Sequence, residues 1–495
     1  MTYKLSLKNL ENIGSRLKVP TYQRSDLSAG ILHFGVGNFH RAHQGVYLDD
    51  LFNLGVGLDY AIVGTGVMAS DAQMMAMLRE QDYLTTIVEQ EAENSQAHIT
   101  GSMIDFIDPE NVPAILGRLE DPAIRIVSLT VTEGGYYIDP ATDEFNPEDP
   151  AIRYDGENPD TPKTAFGMIV AGLKRRRAAG IAAFTVMSCD NLPHNGKIAK
   201  NAVTGLAALS APELAEWIKG HVGFPNGMVD RITPATGDRE RSIAVEQFGV
   251  EDKSPVFCEG YNQWVLEDNF PSGRPELERV GVQFVSDVTP YENMKIRILN
   301  GGHATIAYPA GLMDIHFAHE AIENPLVRNF LQKVERDEII PVAPPVPDTN
   351  LDDYFFLIKH RFANPKIADT VRRLCLDGSN RQPKFIIPSI IDNLQAGRTT
   401  NGLALVSALW CRYCFGETDS GAIIEPNDPN WDRLQAQAKL AKDNPLVWLA
   451  MHDIYGELDQ SGPFRDLFAG WLTMLWREGT KETLSNYLEY ADQTV

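Results

Sequence analysis

Three residues in the segment ENMKIRILNGGH have side chains suited to acid–base chemistry and to binding an oxygen atom: Lys295, Asn300 and His303. On a helix of 100° per residue, His303 lies ~80° and Asn300 ~140° from Lys295, so the three share one broad face if Lys295 reaches along the surface. Each mid-helix glycine of Asn-Gly-Gly costs ~1 kcal/mol or more, which needs a reason such as close approach of a ligand or another backbone. A solvated lysine and an asparagine that caps a helix break are the alternative.

A second polar set follows an apolar run in TVMSCDNLPHNG, where Cys189, Asp190 and Asn191 come directly after a predicted strand that ends at Ser188. Ligands of open α/β sheets bind outside the carboxyl ends of the parallel strands. Asn191 is therefore a candidate site residue, although an asparagine at this position can also simply cap the next turn.

The segment GILHFGVGNFHRAH has the context of a dinucleotide-binding turn, with Gly35 and Gly37 between a short apolar strand and a helical pattern. Glycine at both positions permits a tight turn and lets backbone N–H groups approach a pyrophosphate. The third position of the usual motif is His40, and the acid expected after the second strand comes late, at Asp71. An ordinary strand-to-helix turn remains the alternative.

Several residues have metal-ligand types without a complete ligand set. His40 and His43, and likewise His316 and His319, have i, i+3 spacing, but no neighbouring cluster completes either site. Cys411 and Cys414 form a C-x-x-C within ALVSALWCRYCF, which we interpret as a buried helix because no second pair follows. We expect no catalytic metal.

The elements that must position these residues fall into two halves. Short β-branched runs alternate with helical patterns in the first half, which predicts a parallel sheet covered by helices. The segment from Ile138 to Lys163 is rich in Pro, Asp and Asn and is interpreted as a long surface excursion without helix or strand. Long amphipathic patterns dominate the second half. The prediction is an α/β Rossmann-type domain at 1–285 and a mainly α-helical domain at 286–495.

Composition excludes several classes of function. The chain has 495 residues, 44 Lys and Arg against 67 Asp and Glu, and a net charge of −23, which argues against nucleic-acid binding. The beginning lacks the apolar run of a signal peptide, and no stretch reaches the ~18 apolar residues of a membrane span. We therefore expect a cytoplasmic protein without membrane or nucleic-acid partners.

Six segments resemble the polyol-specific long-chain dehydrogenases, and most closely their mannitol-oxidising branch, over nearly the full chain. They are GVGNFHRAHQ at 35–44, IVSLTVTEGGYYID at 126–139, AFTVMSCDNLPHNG at 183–196, FPNGMVDRITP at 224–234, VTPYENMKIRILNGGH at 288–303 and DGSNRQPKF at 377–385. The resemblance implies zinc-independent, NAD-linked interconversion of D-mannitol and D-fructose by a monomer.

The same resemblance implies a role for each matching residue. Lys295 would be the general acid/base, Asn191 and Asn300 would bind the reacting oxygen, and His303 would orient the substrate. Asp230 would support binding and charge, Glu292 proton exchange with solvent, and Arg373 and Arg381 the substrate hydroxyls. The cofactor contacts implied are Gly35, Gly37, Asn38, Phe39 and Asp71; Ser70 replaces a second acid, so we expect a weaker preference for NAD over NADP.

Other activities fit the same residues. Within the family, D-arabinitol or D-sorbitol dehydrogenases and fructuronate or tagaturonate reductases share the Lys, Asn and His set. A non-catalytic NAD-binding sensor is the alternative from another class of function.

Overall fold

The computed structural model describes residues 1–139 and 144–492. The chain divides into two compact units, Met1–Thr289 and Pro290–Val495. Within the described residues, no helix is long and apolar enough to cross a membrane.

The first unit is built on a parallel sheet of five strands. In chain order they are β1 (Ala29–Phe34), β2 (Ala61–Thr65), β3 (Met103–Ile107), β4 (Ile126–Leu129) and β5 (Thr185–Ser188). The spatial order is β5-β4-β1-β2-β3, with every neighbouring pair parallel. The strand order therefore reverses between β1 and β4, which is the point where open sheets of this type bind dinucleotides.

Both faces of this sheet are covered, as the continuous apolar strands require. In β1, Leu32 and Phe34 contribute to the hydrophobic core on one face, and Ile31 contributes to the core on the other. The α-helices of the first unit are Leu10–Gly14, Asn38–Ala42, Gln44–Asn53, Asp71–Arg79, Val112–Glu120, Pro150–Glu157, Ala165–Ala179, Asn195–Ser210, Pro212–His221 and Asp238–Phe248.

Smaller sheets complete the first unit. Gly227–Asp230 pairs antiparallel with Gln263–Glu267, which pairs parallel with Gln283–Val285. Thr85–Gln90 lies between Val256–Glu259 and Ser95–Thr100. Two-stranded pairs join Tyr3–Lys4 to Val250–Glu251 and Ile138–Asp139 to Glu144–Phe145.

The interpretation of Ile138–Lys163 as an excursion without helix or strand is wrong. The segment contains the helix Pro150–Glu157, and Asp149 caps it by accepting a hydrogen bond from the N–H of Ala151. Asp-Pro is a helix-start signal, because proline lacks only an N–H that the first turn leaves unused. The part of this prediction that concerns 140–143 lies outside the described residues.

The second unit is mainly helical, which confirms the predicted fold class. Its α-helices are Thr289–Met294, Gly301–Leu312, Ala318–Glu323, Pro325–Val334, Leu351–Phe362, Val371–Leu374, Gly378–Phe385, Ile387–Gln395, Asn401–Cys414, Trp431–Ala441, Leu446–Leu449, His452–Tyr455 and Gly462–Asp492, the last of which is broken by a kink at Gly479. Two π-helices, Lys295–Asn300 and Glu335–Ile339, interrupt this pattern. Cys411 and Cys414 are buried in Asn401–Cys414, as predicted.

Candidate active site

The turn after β1 requires glycine at its first position. Gly35 has a φ of +92°, and a Cβ there would overlap the carbonyl oxygen of Thr130. The Thr130 hydroxyl donates a 2.6 Å hydrogen bond to the Gly35 carbonyl. The turn is thus held against the loop after β4, at the point where the strand order reverses.

Open space lies beside the backbone of Gly37, in contrast to the crowded position of Gly35. Its φ is −109°, and a Cβ would meet no described atom closer than 3.9 Å, so the protein itself does not exclude a side chain. Open space beside a backbone is what the close approach of a pyrophosphate requires. The turn therefore fits a dinucleotide.

The predicted cofactor residue Asn38 uses its side chain within the protein. Its amide donates to the Pro234 carbonyl and to the Thr236 hydroxyl, at 3.1 and 3.0 Å. Asn38 can therefore contact a cofactor through its backbone N–H. The neighbouring Phe39 ring stacks on His43, with centroids 4.8 Å apart.

Sequence reasoning missed Arg41, which fixes the same turn. Its buried guanidinium donates to the carbonyls of Gly37 (3.3 Å) and Ser254 (2.5 Å) and to the side-chain oxygen of Asn38 (2.8 Å). Burial lowers the pKa of Arg41 to about 10. Arg41 therefore remains charged at neutral pH.

Two stacked histidines lie next to this turn. The rings of His33 and His40 are parallel, with centroids 3.4 Å apart, and both are fully buried. His33 also bonds the hydroxyls of Ser128 (2.8 Å) and Thr130 (2.9 Å). Burial lowers the pKa of His33 to about 3 and that of His40 well below its usual value, so both rings are neutral.

Asp71 lies at the beginning of the helix that follows β2. One carboxylate oxygen, Oδ2, accepts the N–H groups of Val67 and Met68 at 2.8 and 3.1 Å. Its other oxygen accepts no hydrogen bond from the described residues. Asp71 thus has one oxygen available for a ribose hydroxyl, at the strand end where a dinucleotide-binding fold places its acid.

Asn191 and Asp230 belong to different parts of the first unit: Asn191 lies in the bend after β5, and Asp230 lies in a smaller sheet. Asn191 is exposed three residues after the end of β5, whereas Asp230 is buried at the end of the antiparallel strand Gly227–Asp230. The buried Asn195 connects the two segments that contain them, because its amide donates to the carbonyls of Asp190 and Gly227 at 3.0 and 2.8 Å.

One continuous helical segment, Thr289–Leu312, positions four predicted residues of the second unit. Glu292 lies in its first turns, Lys295 begins the π-helix, Asn300 ends it, and His303 follows. Glu292 and Lys295 are buried. The i→i+5 bonding of a π-helix widens the turn, so the 100° spacing assumed from the sequence does not hold here. Single π-helical turns occur frequently at functional sites.

The two glycines after Asn300 allow close packing. A Cβ at Gly301 would lie 3.3 Å from the carbonyl oxygen of Phe385, and a Cβ at Gly302 would lie 3.1 Å from Oε1 of Glu335. The predicted need for close approach at Asn-Gly-Gly is therefore met by neighbouring helices. Next to them, His303 stacks on Phe362 at a centroid distance of 4.1 Å.

Arg373 and Arg381 come together although they lie on different helices. Nη1 of Arg381 donates to the carbonyls of Arg373 (3.4 Å) and Leu374 (3.3 Å). Sequence reasoning missed Asp369, whose two oxygens pair with Nε and Nη2 of Arg373. This pairing raises the pKa of Arg373, so the guanidinium charge is already compensated.

Among the described residues, no group of three or more His, Cys, Asp or Glu side chains is arranged to hold a metal ion. His40 instead packs against His33, and His319 stacks on Phe317 with centroids 5.5 Å apart.

The strand order and the Gly35–Gly37 turn define the first unit as a Rossmann-type dinucleotide-binding domain. The family models of the mannitol dehydrogenase Rossmann domain and the mannitol dehydrogenase C-terminal domain match residues 29–279 and 287–475. The chain belongs to the mannitol dehydrogenase family, which confirms the predicted resemblance.

Individual relatives agree over nearly the whole chain. Mannitol 2-dehydrogenase of Cereibacter sphaeroides is 57% identical over 470 residues, covering 95% of this chain and 98% of that protein. The solved structure of Pseudomonas fluorescens mannitol 2-dehydrogenase in ternary complex with NAD and D-mannitol is 42% identical, covers 98% of this chain and 100% of that chain, and has a TM-score of 0.86. A substrate-free D-sorbitol dehydrogenase is 35% identical, covers 97% and 100%, and has a TM-score of 0.91.

Proposed function

We propose that the chain is an NAD-dependent, zinc-independent polyol dehydrogenase that interconverts D-mannitol and D-fructose. The observation that carries the proposal is Lys295, a buried amine at the beginning of a π-helix that ends at Asn300 and is followed by His303. The 57% identical relative and the solved mannitol 2-dehydrogenase complex support both the substrate and the cofactor.

The first unit has the residues to hold NAD. The backbone at Gly35, Gly37, Asn38 and Phe39 would hold the pyrophosphate, and Asp71 would hold the adenosine ribose. When bound, NAD supplies the hydride acceptor of the reaction. We accordingly assign cofactor binding to 1–285 and substrate binding mainly to 286–495.

Lys295 is proposed to accept the hydroxyl proton during oxidation and to return it during reduction. The amides of Asn191 and Asn300 would donate hydrogen bonds to the oxygen on which negative charge develops, a role that a metal ion would otherwise fill. We assign proton exchange with solvent to Glu292 and support of substrate binding to Asp230. The stack on Phe362 would orient His303 toward a substrate hydroxyl.

The ion pair between Arg373 and Asp369 supports a neutral substrate over a uronate. A guanidinium that binds a substrate carboxylate needs its charge and its forked donors available. Nε and Nη2 of Arg373 already bind the carboxylate of Asp369. The paired Asp369 carboxylate can still help to orient substrate hydroxyl groups. This favours the mannitol reaction over fructuronate or tagaturonate reduction.

We also propose that the protein acts as a monomer in the cytoplasm, without nucleic-acid or membrane partners. Its net charge of −23 supports solubility and the absence of a nucleic-acid partner. The oligomeric state would be checked by light scattering on the purified enzyme.

Initial rates with a substrate panel test the proposal. D-mannitol, D-sorbitol, D-arabinitol and 2-propanol would be assayed with NAD and NADP, and fructose, fructuronate and tagaturonate with NADH. We expect D-mannitol and fructose to give the highest kcat/KM, and dialysis against a strong chelator to leave the rates unchanged. A uronate preference of ~100-fold over fructose would contradict the polyol assignment, and loss of activity restored only by zinc would contradict zinc independence.

A further inference from the structure

Asp190, next to Asn191, uses its whole carboxylate to bind one loop. Oδ2 accepts the N–H of Val131 (2.9 Å) and the hydroxyl of Tyr136 (2.6 Å), and Oδ1 accepts the N–H of Thr132 (2.9 Å). The side chain is buried. All three donors belong to the segment that follows β4.

The loop that Asp190 binds is held in an unusual conformation. Thr132 has φ +64° and ψ 168°, a region that glycine adopts easily and a β-branched residue avoids. Such a conformation persists only when surrounding contacts over-determine it. The hydrogen bonds that the Asp190 carboxylate accepts from the N–H groups of Val131 and Thr132 are such contacts.

The same loop supports the cofactor turn. The Thr130 hydroxyl donates to the Gly35 carbonyl at 2.6 Å, and the Thr130 carbonyl lies where a Cβ of Gly35 would be. Thr130 therefore links the loop directly to the turn at the switch point of the sheet.

The backbone carbonyl of Asp190 fixes the segment that contains Asn191. The Asp190 carbonyl accepts the N–H of Leu192 (2.9 Å) and the amide of Asn195 (3.0 Å). Asn195 in turn binds both the N–H and the carbonyl of Gly227, in the strand that ends at Asp230. Asn191 thus lies between two anchored residues.

We propose that Asp190 is a positioning residue of the dehydrogenase site, which sets the distance between the Gly35 turn and Asn191 by holding Thr130–Thr132 in its strained conformation. The proposal rests on the proposed function, since it concerns the geometry of hydride transfer. Asp190 itself contacts neither substrate nor cofactor in this scheme and acts through its neighbours.

Asp190→Asn removes one acceptor oxygen and presents an NH₂ group to a backbone N–H. We expect kcat for D-mannitol to fall by about 10- to 100-fold, since misplacement by ~1 Å can cost ~100-fold. The NADH Kd should change by less than about 3-fold, because the Gly35 turn keeps its own bond to Thr130. The deuterium isotope effect with mannitol labelled at C2 should increase as hydride transfer becomes the slow step.

Asp49→Asn is the matched control. Asp49 is also a buried carboxylate that accepts a tyrosine hydroxyl (Tyr22, 2.5 Å) and a backbone N–H (Gly101, 2.7 Å), but Gly101 precedes β3 at the opposite edge of the sheet. We expect Asp49→Asn to lower thermal stability without lowering kcat. Equal losses of kcat in the two variants would overturn the proposal.

Thr132→Gly provides a rescue, because glycine adopts the strained conformation without help from Asp190. Adding it to Asp190→Asn should restore kcat at least 3-fold, about half of a 10-fold loss on a logarithmic scale. If Asp190→Asn does not fold, Tyr136→Phe, which removes one of the three donors, should lower kcat by at least about 2-fold. Wild-type kcat in every folded variant would overturn the positioning role, whereas an inactive wild type would instead refute the proposed function.

Discussion

The imidazole of His303 stacks on the ring of Phe362, with a centroid distance of 4.1 Å and an interplanar angle of 19°. Phe362 is buried at the end of the helix Leu351–Phe362, so its ring is held by the core. The stack fixes the plane of the half-buried imidazole. A fixed ring plane is what the proposed role of His303 in orienting a substrate hydroxyl requires.

Phe362→Leu keeps an apolar side chain but removes the aromatic face. We expect the KM for D-mannitol to increase about 2- to 10-fold, because aromatic stacking contributes ~0.5–1.5 kcal/mol beyond area burial. Phe330→Leu is the control, since Phe330 is buried in the same unit in an edge-to-face pair with Tyr487, 5.2 Å away. An unchanged KM in Phe362→Leu would show that the stack does not orient the substrate.

Asp71→Asn should weaken the preference for NAD over NADP. The amide oxygen can still accept the N–H groups of Val67 and Met68, so the turn is retained while the charge that repels a 2′-phosphate is lost. We expect the ratio of kcat/KM values for NADP and NAD to increase about 10-fold or more.

Asp121→Asn provides the comparison for this measurement. Asp121 also accepts a turn N–H, from Ala123 at 2.9 Å, but it lies before β4 at the amino edge of the sheet. A similar change of cofactor ratio in both variants, or equal use of both cofactors by the wild type, would refute the role of Asp71.

Glu338 should make the protein less stable as the pH rises. Burial raises its pKa to about 7 although the N–H groups of Gly402 and Leu403 bind its carboxylate at 2.6 and 2.9 Å. Because the folded-state pKa of Glu338 lies above its unfolded value, protonation of this side chain stabilises the folded state. The contribution is complete below pH ~4.5 and is lost as the pH rises through ~7. It amounts to about 3 kcal/mol in the free energy of unfolding.

Glu338→Gln should therefore flatten the free energy of unfolding between pH ~5 and ~8. Urea titrations across this range measure the effect, with the exposed Glu482→Gln as control. The prediction fails if both variants keep the wild-type slope.

Asp369→Asn should release Arg373 to bind a substrate carboxylate. We expect kcat/KM for fructuronate, relative to fructose, to increase about 10-fold or more, since a hydrogen bond to a charged group contributes ~1.5–3 kcal/mol. Asp453→Asn breaks a similar two-point pair with Arg433 in the same unit and should not change the ratio. If the ratio of kcat/KM values for fructuronate and fructose stays constant in Asp369→Asn, the Arg373–Asp369 pair does not select a neutral substrate.

The parallel sheet was predictable because most of its strands are short apolar runs, whereas the edge strand Met103–Ile107 contains Asp105 and is only partly buried. The composition of Ile138–Lys163 does not reveal the helix Pro150–Glu157, because Pro and Asp are typical of turns and yet together also begin helices. The π-helix at Lys295–Asn300 leaves no signature in periodicity, since one wide turn does not change the apolar pattern around it.

The candidate residues themselves were predictable, but most of their supports were not. Asp190 binds Thr132, which is 58 residues away, and Arg41 binds Ser254, which is 213 residues away. Such pairs depend on topology, which a single sequence does not encode as a local pattern. Asp369 lies only four residues from Arg373, and i, i+4 spacing could have revealed it.

The rate of NAD reduction by D-mannitol in Lys295→Met tests the central claim most directly, measured beside NADH binding by fluorescence. We predict that the rate falls by about 10²- to 10⁴-fold, the usual contribution of a general acid/base, while the NADH Kd stays within about 3-fold of the wild type. Retention of more than ~10% of the wild-type rate, with D-mannitol bound and NADH affinity intact, would contradict the assignment of Lys295 as the proton acceptor.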